Sequence, residues 1–129
     1  MILETSFLID LFRNNKEAVL KMNNLIESDE VVGIATPTIF ELWSGVTALD
    51  RAENEKNKII SLISKLVIYT LDKNSAEVAG KINGELIKKG LKIEPQDIMI
   101  AGIALTNHKK VLTRDEHFSR IEGLKVESY

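Results

Sequence analysis

The stretch Val31-Val32-Gly33-Ile34-Ala35-Thr36-Pro37-Thr38-Ile39-Phe40-Glu41-Leu42-Trp43 decides the fold. It begins with a short apolar run rich in β-branched residues, which reads as a strand over 31–35. Thr36 and Pro37 follow as a cap and a first helical proline, whose fixed φ suits a helix start and whose missing N–H is not needed there. From Pro37 to about Leu49 the apolar residues Ile39, Leu42, Trp43, Val46 and Leu49 recur at helical spacing. A strand running directly into an amphipathic helix is half of a parallel crossover, because parallel neighbours cannot be joined by a tight turn.

The same unit recurs outward along the chain. Met1-Ile2-Leu3 reads as a strand leading into a helix that ends at Phe12, with Thr5 or Ser6 as its N-cap, and a second helix is expected from about Lys16 to Glu27. Beyond the opening stretch come a helix from about Glu53 to Leu66, a strand at Val67-Ile68-Tyr69, and a helix from Ser75 to Lys89 ended by Gly90. Pro95 opens a helix from Gln96 to about Asn107, whose run Ile98 to Leu105 is apolar on every side and therefore predicts burial. Ala101 and Gly102 in that run permit close packing. Lys110 to Thr113 reads as a strand, Glu116 to Arg120 as a short helical turn, and Leu124-Lys125-Val126 as a last strand. The alternation predicts a three-layer α/β/α sandwich with a mostly parallel central sheet, formed by one domain over 1–129.

Composition bounds the function. The 129 residues are 44% hydrophobic and 28% charged, which excludes wholesale disorder. With no cysteine there is no disulfide, thiolate zinc site or cysteine nucleophile, and two histidines, His108 and His117, exclude a histidine-rich centre. No apolar run approaches the roughly 18 residues of a bilayer span, and Glu4 stands where a signal peptide would be positive, so a cytoplasmic chain is expected. Seventeen basic against nineteen acidic residues give a net charge of −2, which argues against tight, non-specific nucleic-acid binding.

Ligands of a parallel sheet gather beyond the carboxyl ends of its strands, where strand order reverses. Four carboxylates fall at such junctions. Glu4 follows the first strand, Glu41 lies in the second turn of the helix after the second strand, Asp97 lies in the first turn of the apolar helix, and Asp115 follows the fourth strand. Clustered carboxylates repel and resist desolvation, and a divalent cation relieves both effects. Oxygen-only ligands select hard ions such as Mg²⁺ or Mn²⁺, and the chemistry then implied is metal-assisted phosphodiester hydrolysis. Each acid also has an ordinary structural reading. Glu4 is an edge charge, Glu41 closes a capping box with Thr38, Asp97 answers the helix dipole, and Asp115 caps the turn after it.

At these residues the sequence resembles the PIN-domain ribonucleases, most closely the toxin subunits of VapBC toxin–antitoxin pairs. Ile2-Leu3-Glu4-Thr5-Ser6-Phe7-Leu8-Ile9-Asp10, Thr36-Pro37-Thr38-Ile39-Phe40-Glu41-Leu42, Pro95-Gln96-Asp97-Ile98-Met99-Ile100-Ala101 and Leu112-Thr113-Arg114-Asp115-Glu116-His117-Phe118 resemble that family's four acidic motifs in order. The resemblance implies a metal-dependent endoribonuclease with Glu4, Glu41, Asp97 and Asp115 as catalytic metal ligands for Mg²⁺ or Mn²⁺. It further implies Thr5, Ser6 and Thr113 as supporting hydroxyls, an RNA substrate, an antitoxin partner and a homodimer. One departure stands out: the family's first acid is ordinarily Asp, whereas position 4 is Glu. The extra methylene displaces the carboxylate by roughly 1 Å, a misplacement able to cost on the order of 100-fold in rate. Attenuated nuclease activity is therefore expected.

Setting aside the four acids leaves 15 acidic against 17 basic residues, a weakly basic remainder in which Arg114, beside Asp115, is the best candidate for an RNA phosphate contact. His108 and His117 read as surface or packing residues. An apolar groove of Phe7, Leu11, Phe12, Phe40 and Trp43 is expected to take a partner segment. The competing reading is a PIN-like binding or regulatory module without catalysis, favoured by Glu4. A response-receiver domain would need an acidic pair after the first strand and a lysine after the last strands, and neither is well placed.

Overall fold

A computed structural model describes residues 1–50 and 52–129. Five strands are connected by helices: β1 (Ile2–Leu3), α1 (Thr5–Phe12), α2 (Lys16–Glu27), β2 (Gly33–Ala35), α3 (Thr36–Ala48), α4 (Glu53–Ile63), β3 (Val67–Tyr69), α5 (Lys73–Lys88), α6 (Pro95–Thr106), β4 (Val111–Leu112), a 3₁₀ turn at Glu116–Arg120 and β5 (Val126–Glu127). The strand order is β3-β2-β1-β4-β5, and every pairing is parallel.

The expected sandwich is borne out, and side-chain alternation shows why. Leu3, Ile34 and Leu112 point to one face, where they pack with Phe7, Leu8, Ala18, Leu25, Leu42 and Ile59. Their neighbours Ile2, Ala35 and Val111 point to the other, against Ile100, Ile103 and Ala104 of α6. Helices α1 to α4 thus cover one face and α6 the other, with α5 packed outside α6 through Ala79, Leu86, Ile98 and Ala101. This explains the unbroken apolar run of α6, which is enclosed between the sheet and another helix. Gly102 is required there: a Cβ would stand 2.6 Å from the Ser75 carbonyl oxygen.

Several boundaries differ from the sequence reading. The N-cap of α1 is Glu4, whose carboxylate accepts from the Ser6 N–H, so Thr5 and Ser6 are already helical. Helix α3 begins at Thr36, with Ala35 at its cap and no side-chain cap bond. Thr36 instead accepts from Leu71 N–H at 3.1 Å, joining α3 to the exit of β3. Helix α5 starts earlier than expected because Asp72 and Ser75 form a reciprocal capping box. The strands β1, β2 and β4 are each shorter than their apolar runs, and β5 is shifted to Val126–Glu127.

The topology fixes the location of a crevice. From β1 the chain winds outward through β2 to β3, then crosses back to β4 on the other side of β1. Strand order therefore reverses between β1 and β4, and the cleft beyond their carboxyl ends receives Glu4 from one and Thr113 to Asp115 from the other.

Candidate functional site

Glu4 lies at the centre of the hydrogen bonding in that crevice. It is buried, and its Oε2 accepts from Ser6 N at 3.0 Å, from Ser6 Oγ, and from Thr113 Oγ1 at 2.9 Å. Three donors on one oxygen supply much of what the carboxylate lost on leaving water. Thr113 in turn accepts from the Asp115 N–H at 3.0 Å, so one hydroxyl links the first acid to the backbone of the last.

Glu41 is held from the opposite side. The buried Thr5 hydroxyl donates to Glu41 Oε1 at 2.8 Å, with Thr38 Oγ1 3.3 Å from the same hydroxyl. The capping box between Thr38 and Glu41 is not formed, because Glu41 turns toward α1 and not toward its own helix start. Burial raises the Glu41 pKa, the Thr5 hydrogen bond opposes that rise, and the Glu4 charge adds to it. Asp115 also fulfils its structural reading: Oδ1 accepts from the His117 N–H at 2.9 Å and lies 3.0 Å from His117 Nδ1.

Asp97 shows that the four acids share one field. Burial pushes its pKa up to about 7, assisted by the charges of Glu4, Glu41, Asp115 and Glu94. Glu94, at the cap of α6, is the acid that sequence reading missed; its position one residue before Pro95 was the available signal. The donor set contains only carboxylate and hydroxyl oxygens, which suits a hard divalent cation, and the mutual repulsion is the deficit that such an ion fills. Among the described residues, no three histidine or acidic side chains are gathered closely enough to hold an ion as they stand.

Arg114 is engaged within the molecule. Its guanidinium pairs with Glu17, lies 3.5 Å from Asp10 Oδ2, and sits 4.4 Å above the Tyr129 ring. Asp10 also accepts from the Tyr129 hydroxyl at 2.8 Å, so it belongs to this cluster and not to the acids around Glu4.

The expected partner groove is relocated. Phe7 is fully buried and stacks edge-on against Tyr129, so it lines no surface. The groove that borders the site runs between α1, α3 and α4, lined by Ile9, Phe12, Arg13, Leu42 and Leu49, with Glu41 and Thr5 at one end. Phe12 alone of the expected residues lines it. Among the described residues no helix is long and apolar enough to cross a membrane.

Comparison with known proteins accords with this geometry. The family model for the PIN domain matches residues 1–124. The tRNA(fMet)-specific endonuclease VapC of Salmonella typhimurium is 30% identical over 129 residues, covering 99% of this chain and 96% of that protein. The crystal structure of DNA-bound VapBC from the same species superposes with a TM-score of 0.87 at 30% identity, over 98% of this chain and 96% of that one. VapBC2 from Rickettsia felis, bound to a fragment of its promoter, superposes with a TM-score of 0.89 over 99% of this chain and 97% of that one. At 23% identity that likeness speaks for the fold alone.

Proposed function

The chain belongs to the PIN domain family, and from that premise we propose that it is a metal-dependent endoribonuclease of the VapC toxin type, acting as one domain over 1–129. The observation that supports this reading most is the raised pKa of half-buried Asp97, to which Glu4, Glu41 and Asp115, each from a different part of the fold, all contribute. The VapC relative named for tRNA(fMet) supports RNA as the substrate class.

Glu4, Glu41, Asp97 and Asp115 would hold Mg²⁺ or Mn²⁺. When bound, such an ion acidifies water and stabilises charge on the reacting phosphate. The protein's own part is orientation. Ser6 and Thr113 fix one oxygen of Glu4, Thr5 fixes one oxygen of Glu41, and the His117 amide fixes one oxygen of Asp115. Asp97, whose pKa burial and the neighbouring acids raise to about 7, must be deprotonated for the site to carry its full negative charge. Arg114 would meet the RNA backbone only after leaving Glu17 and Asp10.

Glu4 in the position of the family's usual Asp supports attenuated activity. An antitoxin segment would occupy the groove between α1, α3 and α4, as the VapBC pairing of the structural relatives suggests. A homodimer and a cytoplasmic setting complete the proposal. The second reading, a non-catalytic PIN module, is favoured by Glu4 and by the open spacing of the acids. Incubation of the chain with initiator tRNA and with a single-stranded RNA, in Mn²⁺ and in EDTA, separates the two. Cleavage in Mn²⁺ that EDTA abolishes supports the nuclease; intact RNA together with no Mn²⁺-linked rise in melting temperature supports the module.

A further inference from the structure

Tyr129 lies outside every motif that the site uses, yet it touches both segments that build the site. Strand β5 delivers it there: Thr113 N–H donates to Glu127 O at 3.0 Å, and the chain continues from Glu127 across the end of α1. The Tyr129 ring packs edge-on against Phe7, with centroids 4.8 Å apart at an interplanar angle of 82°. Phe7 directly follows Ser6, the residue whose amide and hydroxyl donate to Glu4. On its other side the ring carries the Arg114 guanidinium at 4.4 Å, and Arg114 lies between Thr113 and Asp115. The hydroxyl donates to Asp10 at 2.8 Å, and Asp10 lies 3.5 Å from the same guanidinium. Ring, hydroxyl and cation thus form a closed circuit joining α1 to the turn after β4.

We propose that Tyr129 is a positioning residue, acting through Phe7, Asp10 and Arg114 to hold the 113–115 turn against the start of α1 and so to set Asp115 relative to Glu4. The proposal rests on the nuclease reading for its catalytic consequence, but not for its structural one. The ring is semi-rigid and has few torsions to freeze, which suits a strut between two backbone segments. The hydroxyl fixes which way Asp10 faces, and Asp10 draws Arg114 toward α1 while Glu17 draws it toward α2. Without the ring the Arg114 side chain loses its floor. The turn is then tied to α1 by the contacts of Thr113 with Glu4 and Ser6 and by the Arg114–Asp10 ion pair, while Glu17 holds the guanidinium from α2.

The test uses the full chain, unsubstituted and as Tyr129→Ala and Tyr129→Phe. Amide hydrogen exchange is read at Ser6 and Asp115, whose N–H groups donate to Glu4 and Thr113, and at Ile2 and Gly33 within the sheet. In Tyr129→Ala the first pair is expected to exchange about tenfold faster while the sheet pair is unchanged. RNA cleavage is expected to lose about tenfold in kcat with KM within about twofold, the pattern of a misplaced group and not of lost binding. Tyr129→Phe keeps the ring and should recover most of both. Should Tyr129→Ala not fold, Tyr129→Leu keeps apolar contact with Phe7 and removes ring and hydroxyl. Unchanged exchange at Ser6 and Asp115 overturns the proposal, and so does a loss of protection shared equally by the sheet. If the unsubstituted chain cleaves no RNA, the nuclease reading fails, and the exchange arm still decides the role of Tyr129.

Discussion

Thr113 Oγ1 donates to Glu4 Oε2 at 2.9 Å between two buried side chains 109 residues apart in sequence. This bond spans the crevice between the two parallel strands where strand order reverses. Thr113→Val keeps the shape and removes the donor, leaving a buried carboxylate one partner short. The expected loss is about 1.5–3 kcal/mol, the range for a hydrogen bond to a charged group. Thr113→Ser should stay within about 1 kcal/mol of the parent. Urea unfolding of the three proteins at one pH reads this directly.

Position 4 offers an opposite test. Asp is a better N-cap residue than Glu, so Glu4→Asp should leave α1 intact and the melting temperature near that of the parent. Its carboxylate would retreat by roughly 1 Å, and single-stranded RNA cleavage should rise about 10- to 100-fold. An unchanged rate would remove the attenuation reading while leaving the nuclease reading in place.

Asp97 governs pH dependence in the metal-free protein. Its pKa is raised from 3.8 to about 7 by burial first and by the neighbouring acids second. Between these values the folded chain holds a proton that the unfolded chain releases. The Asp97 contribution to stability is therefore greatest below about pH 4, falls as pH rises to about 7, and is flat above, whereas Asp72 and Glu127, whose pKa values are lowered, contribute with the opposite sign at acid pH. Asp97→Asn should flatten much of that slope, with a remainder from Glu41, whose shift has the same sign. Thermal melts at a series of pH values between those limits check both statements.

Divalent metal should reverse the trend. Mn²⁺ at about 100 times its Kd stabilises by about 2.7 kcal/mol, which for a domain this size is roughly 5–15 °C in melting temperature. The increment should be larger at pH 8 than at pH 6, because the site gains its full charge as Asp97 deprotonates. Asp97→Asn combined with Asp115→Asn should abolish it. A Mn²⁺-induced shift that survives the double substitution would place the ion elsewhere.

Packing on the far side of the sheet is tested at Gly102. An added methyl would meet the Ser75 carbonyl oxygen at 2.6 Å and the Ala79 side chain at 2.8 Å, so α5 must move outward. Gly102→Ala should cost about 1–3 kcal/mol in unfolding free energy, measured by denaturant titration.

The architecture was legible because short β-branched apolar runs, suited to strands buried on both faces, alternate with segments of helical period along the chain. The same reading found the burial of α6 from its apolar circumference. What it missed depended on contacts across the fold. Glu4 as the cap of α1 required seeing its carboxylate folded back onto Ser6. Thr36 was spent on Leu71 and not on its own helix, a partner 35 residues away. Phe7 was assigned to a surface groove because its helix face could not be oriented without Tyr129. The engagement of Arg114 by Asp10 and Glu17 was equally hidden, since no local spacing relates those positions.

The seam between β1 and β4 has a consequence for how the chain comes into being. Helices α5 and α6 are sequence neighbours with the densest mutual packing in the fold and can associate early, whereas Ile2 must find Val111 across most of the polypeptide. Synthesis delivers Glu4 and Glu41 before Asp97 and Asp115. A ribosome-bound intermediate can therefore be rich in helix and still lack a crevice altogether. The cleft cannot assemble before the segment around Val111 has been made and has paired with Ile2.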